Sequence, residues 1–242
     1  MPLTITEVTI GSETDRRLTM QNAHWASTLD IGTDWTKLRV GCRVAWDDFG
    51  YNLPGSPRFY LGVMASPNSG LANGPLGPDT SHFLGFRSNT ATWIRSAANY
   101  WRHAGNLSIC KKVDATVTTA TASSSLIYAS IQETQNRNAF LVEIEKFSPT
   151  QAKVETVFCS ASTADTGDLT KLQLITAMEQ TTMAAADALL DLMTGCAYTG
   201  SGGVATIAAD ESADGYWNAI CVAWDRSTPI CYISDMFFAK ME

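Results

Sequence analysis

Two carboxylates two residues apart give the strongest chemical signal in the chain: Glu143 and Glu145, in Phe140-Leu141-Val142-Glu143-Ile144-Glu145-Lys146-Phe147. In an extended strand they share a face. A pair of carboxyl groups is the minimum equipment for acid/base work or for cleaving a glycosidic bond. The neighbouring positions of that face, Leu141 and Phe147, can neither donate nor accept a proton. The set stops at two, and a solvated, charged strand face is the better reading.

The other reactive residues are scattered. His24, His82 and His103 stand alone, without HxH or HExxH spacing for zinc. A Ser–His–Asp triad leaves no local trace, but no GxSxG elbow is present. Gly200 to Gly203, GSGG, reads as a flexible turn; no Gly-Lys-Ser/Thr follows it to hold phosphate. The six cysteines, at 42, 110, 159, 196, 221 and 231, are nowhere closer than ten residues, so no CxxC pair exists. Cys42, Cys221 and Cys231 fall in apolar strand patterns and read as reduced, buried thiols. The acidic stretches Asp165–Asp168 and Asp210–Asp214 could hold calcium, yet neither has the EF-hand register, and turn chemistry accounts for both. No cofactor and no catalytic residue is expected. Trp93, Tyr100 and Trp101 lie around a loop expected over Ala97 to Gly105. Their rings are suited to stacking on a pyranose, to contacting a protein partner, or to covering a core.

The elements that would carry these residues are mostly strands. In Trp35–Asp47, Leu38, Val40, Cys42, Val44 and Trp46 alternate with Arg39, Gly41, Arg43, Ala45 and Asp47, the pattern of a half-buried strand. Further strands are expected over residues 3–10, Arg17–Gln21, His24–Leu29 and Arg58–Ser66. His82–Arg87 and Ala91–Arg95 are expected to form a hairpin around Ser88-Asn89-Thr90. Leu107–Lys111, Val113–Thr119, Leu126–Gln132, Asn138–Phe147 and Lys153–Ser160 complete the middle of the chain. Pro67–Asp79, with three prolines and three glycines, is expected to be an irregular excursion. Thr181–Thr194 sets Met183, Ala186, Leu189, Leu190 and Met193 at helical spacing and predicts a helix, whereas Leu172-Gln173-Leu174-Ile175 fits helix or strand. Tyr216–Glu242 reads as two strands, apolar on both faces, joined by a turn at Asp225–Pro229.

Net charge is −7, from 17 Lys and Arg against 24 Asp and Glu, with no basic run; a nucleic-acid partner is not expected. Charged residues are only 17% of the chain, which suits packing against other protein. The first residues lack a basic and apolar leader, so synthesis in a cytoplasm without a Sec signal is expected. No apolar run is long enough to span a bilayer.

The ending, Trp217-Asn218-Ala219-Ile220-Cys221-Val222-Ala223-Trp224-Asp225 followed by Ile230 to Lys240, resembles the closing strands of concanavalin A-like lectin/glucanase and laminin-G-like jelly rolls. Leu38–Trp46 and Arg58–Ser66 resemble the paired long strands of the same architecture. The resemblance implies an all-β, two-sheet jelly-roll-like β-sandwich, with one short helix near 181–194. An extended arm over 1–12 would precede a single domain over 13–242. Glucanases of this fold carry an E-x-D-x-E strand, whose middle aspartate and third carboxylate are missing around Glu143 and Glu145; some laminin-G-like domains bind calcium. Such modules also occur without catalysis in bacteriophage virions and tail-like particles. The expected function is a non-enzymatic structural subunit of such a particle, in contact with copies of itself or other virion proteins. The arm at Leu3–Ile10 would pair with a neighbouring sheet. The alternative is a lectin-like module that binds glycans through Trp93, Tyr100 and Trp101.

Overall fold

The computed structural model describes residues 4–10, 17–32, 34–46, 52–53, 58–64, 70–73, 83–97, 100–113, 116–130, 138–148, 150–160, 170–194, 197–206, 217–226 and 230–241. In chain order the strands begin with β1 Ile5–Glu7, β2 Leu18–Met20, β3 Ala23–Ala26, β4 Lys37–Trp46, β5 Asn52–Leu53 and β6 Phe59–Met64. They continue with β7 Gly70–Asn73, β8 Phe83–Ala97, β9 Tyr100–Val113, β10 Thr116–Ser130, β11 Asn138–Ser148 and β12 Gln151–Ser160. Two helices follow, α1 Lys171–Met178 and α2 Met183–Thr194, then β13 Ala197–Thr206, β14 Ala219–Trp224 and β15 Cys231–Met241.

The strands form two antiparallel sheets, so the expected all-β sandwich is the fold. The first runs β1-β15-β4-β11-β12-β13, with β2 also on β15. The second runs β10-β9-β8-β6-β14-β3-β7, with β5 also on β8. The two closing strands separate here: β14 lies between β6 and β3, and β15 lies in the other sheet against β4. Between the sheets sits the main core. Leu38, Val40, Cys42 and Val44 from β4 and Phe140, Val142 and Ile144 from β11 meet Phe59, Leu61 and Val63 from β6 and Ile220, Val222 and Trp224 from β14. Phe140 stacks on Phe59 with ring centroids 4.4 Å apart and leans on Phe86 at 5.3 Å.

The outer face of the first sheet is also covered, by the helices. Ala139, Leu141, Val157, Cys159 and Phe237 pack there against Leu174, Ala177 and Met178 of α1 and Met183, Ala186 and Leu190 of α2, forming a second apolar cluster. One helix was expected; there are two. Thr170 caps α1 in a reciprocal capping box with Gln173, so the ambiguous Leu172–Ile175 stretch is helical. Thr182 accepts the Ala185 N–H at 3.1 Å at the start of α2. Gly41 is needed for the close seating of α1, since a Cβ there would lie 2.7 Å from the Met178 sulfur.

Other expectations shift in detail. The hairpin expected around Ser88-Asn89-Thr90 is not formed; β8 runs unbroken from Phe83 to Ala97 and pairs along its length with β9. Residues 116–119 and 126–130, from the strands expected over Val113–Thr119 and Leu126–Gln132, lie in one strand, β10, with a register shift between Thr121 and Ser124. Gly200–Gly203 is not a turn but lies within β13, opposite a register shift between Val154 and Thr156. The excursion at 67–79 contains the short strand β7, paired with β3. Over residues 5–10 the N-terminal segment is built into the chain's own sheet. Ile5 and Glu7 pair with Ala239 and Phe237, the Val8 N–H donates to the Met236 carbonyl at 2.8 Å, and Val8 and Ile10 are buried.

Candidate functional site

Glu143 stands on the outer face of β11, where the sequence suggested solvent. The helices remove that solvent: Glu143 is only 4% exposed, which corrects the reading of a solvated strand face. Its register partner on β4 is Arg39, which is completely buried. The Arg39 Nε donates to Glu143 Oε2 at 2.5 Å. Its Nη1 donates to the carbonyl of Met178 at 2.9 Å and also to that of Gln180. Lys37 Nζ approaches Glu143 Oε1 at 3.3 Å and Glu145 Oε2 at 3.6 Å. A carboxylate so enclosed by two cations has no open path to a substrate. Glu145 is more open, but its partner across β12 is Lys153, itself 3.0 Å from Glu155; that contact raises the Lys153 pKa. The network ties strands and helix together through ion contacts to both glutamates.

A second ion pair lies on the same sheet face. Arg43 Nε donates to Asp235 Oδ2 at 2.6 Å, and Nη2 of the same guanidinium contacts that oxygen too. Asp235 reaches this face because the register shifts between Ile233 and Asp235. At one end of the sandwich, Lys146 Nζ lies 3.7 Å from the centre of the buried Trp35 ring. Burial pulls the Lys146 pKa down to about 8, against a smaller upward pull from Asp34. The ring face favours the ammonium and opposes the effect of burial. Neighbouring Asp34 is 3.4 Å from Lys240 Nζ, and the Asp30 carboxylate accepts from the Gly32 N–H and from Asn218 Nδ2. These contacts tie Asp30 and Asp34 to β15 and to Asn218 beside β14.

Thiol and metal chemistry find little support among the described residues. Cys42, Cys159, Cys221 and Cys231 are buried thiols in no disulfide. Burial pushes the Cys42 and Cys221 thiols well above their ordinary pKa, away from the reactive thiolate. His24 is buried in β3 opposite Ala223. Among the described residues no three metal-binding side chains cluster, and no helix is long and apolar enough to cross a membrane. The acidic stretches 165–168 and 210–214, and His82, lie outside the described residues.

The three aromatic candidates fall in strands, not in the loop expected over Ala97–Gly105. Trp93 is in β8 opposite His103 of β9; Trp101 is in β9 opposite Arg95; Tyr100 is opposite Ala97. Trp93 and Trp101 are therefore diagonal neighbours in the ladder. On the far side of β9, Trp101 is opposite Ala129 and His103 is opposite Ile127 in β10. The β6 pairing of β8 ends at Arg87, and beyond it, among the described residues, β5 joins β8 on that side at Trp93 and Ile94. The three aromatics thus belong to the outer half of a three-stranded β8-β9-β10 meander.

What the sequence reading missed was Arg39 as the centre of a buried network. The signal was present: Arg39 and Arg43 occupy alternate positions of β4, and the acids that neutralise them sit at the same parity on β11 and β15.

No protein-family model matches this chain, and no curated protein matches it. Solved structures do. Peanut lectin, solved with a 9-residue peptide, matches all of this chain and 98% of its own at 9% identity, with a TM-score of 0.46. Winged bean acidic lectin, solved with methyl-α-D-galactose, matches 99% of each chain at 11% identity, with a TM-score of 0.37. Scytalido-glutamic peptidase, solved with a peptide-based transition-state analogue, matches 93% of this chain and 67% of its own at 8% identity, with a TM-score of 0.30. At these values the likenesses add nothing about activity, and the two-sheet sandwich rests on the strand pairing itself.

Proposed function

We propose that this chain is a non-catalytic recognition module that binds a saccharide surface through the outer half of the β8-β9-β10 meander. The observation that carries this reading is the ladder register, which makes Trp93 and Trp101 diagonal neighbours beside Arg95 and His103 in a part of the meander that β6 does not pair. Flat rings supply the apolar contact for the C–H face of a pyranose, and adjoining polar side chains fix its orientation. Both glutamates of the one carboxylate pair being held in ion contacts speaks against hydrolysis of the bound sugar. A glycan array with the full chain tests the reading. At least one saccharide class is bound, and Trp101→Ala abolishes that binding with an unchanged melting curve. A substitution that instead lowers stability, or the absence of any bound saccharide, ends it.

A second reading, a structural subunit of a bacteriophage virion or tail-like particle assembled in a cytoplasm, has its own support. Leu172 and Leu192, on the two helices, are 70% and 84% exposed, and only 17% of the chain is charged. Both features suit contact with other protein. Light scattering after size exclusion separates the two readings: a strict monomer at high concentration removes the second.

A further inference from the structure

Charge is divided unequally between the two sheets. The first mixes acids with bases, as in the Arg39–Glu143, Arg43–Asp235 and Lys153–Glu155 contacts. Among the described residues, the eight strands of the second contain no Asp or Glu. Yet the chain as a whole has 24 acids against 17 bases. The cations of the second sheet, Arg87, Arg95, Arg102, Lys111 and Lys112, all lie on β8 and β9. They are dispersed along the sequence, so no basic run marks them, and the ladder gathers them. From Thr92 to Arg95 that ladder runs without a shift, pairing Trp93 with His103 and Arg95 with Trp101. Opposite residues and residues two apart occupy one face, so these four positions form the corners of a quadrilateral, with the tryptophans on one diagonal and Arg95 and His103 on the other. With strands about 4.8 Å apart and about 3.3 Å per residue, it measures roughly 5 by 7 Å, the scale of a single sugar ring. Arg102 holds a position of the opposite parity, across from Ile94 and Tyr128.

We propose that the saccharide bound by the meander is anionic, carrying carboxylate or sulfate groups, and that Arg95 and His103 receive the anionic group while Trp93 and Trp101 take the sugar ring. This rests on the reading of the meander as a saccharide-binding face. A guanidinium engages an oxyanion through two parallel N–H bonds, and no carboxylate within the three strands competes for it. A chain of net charge −7 repels polyanions as a whole, so an acidic polymer is captured where acids are missing. Charges more than about 8 Å apart are largely screened at physiological salt. Packed sheets lie about 10 Å apart, so the acids of the first sheet weigh little against a guanidinium on the second.

Calorimetric titration of the full chain with three soluble polymers tests this: neutral dextran, carboxylated polygalacturonate and dextran sulfate. At least one acidic polymer binds and dextran does not, and the acidic polymer bound more tightly identifies the group. Raising salt from about 0.15 M to about 0.5 M weakens that binding tenfold or more. Arg95→Gln weakens it tenfold or more with an unchanged melting curve, whereas Arg102→Gln, which removes the same charge from the opposite face, leaves it within threefold. Should Arg95→Gln lower stability, the comparison of polymers and of salt on the unmodified chain decides. Dextran bound as tightly as the acidic polymers overturns the anionic assignment and leaves the saccharide reading standing. Failure to bind either acidic polymer also overturns it, and a neutral saccharide bound on the glycan array would then preserve the broader reading. Equal losses in Arg95→Gln and Arg102→Gln, or equally tight binding of a single-stranded oligodeoxynucleotide, overturn it in favour of diffuse capture of any polyanion.

Discussion

Gly62→Ala places a methyl group where two backbones meet. Gly62 of β6 is the register partner of Gly85 of β8. A Cβ on Gly62 would lie 2.8 Å from the Gly85 Cα and closer still to the Leu84 carbonyl oxygen, whereas ordinary contacts begin at 3.4 Å. All the obstructing atoms are backbone, so no side chain can rotate away and the strands must part by roughly 1 Å to clear the Leu84 carbonyl oxygen. Ladder hydrogen bonds of about 2.9 Å are then stretched to about 4 Å, beyond what counts as a bond. Loss of two such bonds costs about 2 kcal/mol, with residual strain of about 1 kcal/mol. The loss of glycine's freedom in the unfolded chain returns about 0.5–1 kcal/mol. The net is destabilisation of about 2 kcal/mol, or a fall in Tm of about 4–8 °C for a chain of this size. Guanidinium denaturation at constant m-value measures it. A variant within about 0.5 kcal/mol of the parent, the range of an ordinary surface change, would show that β6 and β8 do not approach as described. The contrast with Gly41 is instructive, because there the obstruction is a methionine side chain that can yield and the damage stays local.

The remaining expectations concern titration and thiols. In the folded chain the Lys146 pKa is down at about 8, against an ordinary 10.5. Between these values the unfolded chain holds a proton that the folded chain has lost, so stability rises with pH there; below both, the burial penalty is present in full. The full shift corresponds to about 3 kcal/mol, but Lys146 is half-exposed, and screening reduces this to about 1 kcal/mol. Relative to Lys146→Met, the parent should gain about that much between pH 7.5 and 10.5 in paired denaturation curves, and a flat difference refutes the assignment. Cys42, Cys159, Cys221 and Cys231 should resist a thiol reagent in the folded protein and react together on denaturation, as peptide mapping would show; modification of any of the four under native conditions contradicts their burial.

The sheet strands were legible because most of them obey one rule. In β4, β11 and β12 the core-facing residues recur at every second position, and burial of Leu38, Val40, Cys42 and Val44 follows that spacing residue by residue. What escaped lies where one signal serves two structures. Leu172-Gln173-Leu174-Ile175 fits a period of 2 or of 3.6 over four residues, and only the Thr170–Gln173 cap decides for helix. Ser88-Asn89-Thr90 has turn chemistry, but β9 supplies partners on both sides of it, and the paired neighbour prevails over local propensity. Glu143 was misplaced because charge in a strand normally marks solvent. Its burial depends on Arg39, 104 residues away, and on helices whose docking is not written in the strand itself.

The two last strands have a kinetic meaning as well as a structural one. β14 fills the gap between β3 and β6, pairing Ala219 with Met64 and Cys221 with Ala26. β15 joins β4, pairing Phe238 with Val40. Each of these ladders closes over a long stretch of intervening chain, and each joins neighbouring strands that were synthesised much earlier. A ribosome emitting this chain therefore releases β3, β4 and β6 long before their final neighbours exist. Closure of such distant pairs is slow, and meanwhile the waiting strands expose unpaired edges that can seek partners in other chains. The burden on the cell falls on the interval before Ala219 emerges, when holding the incomplete sheets apart matters more than any contact in the finished molecule.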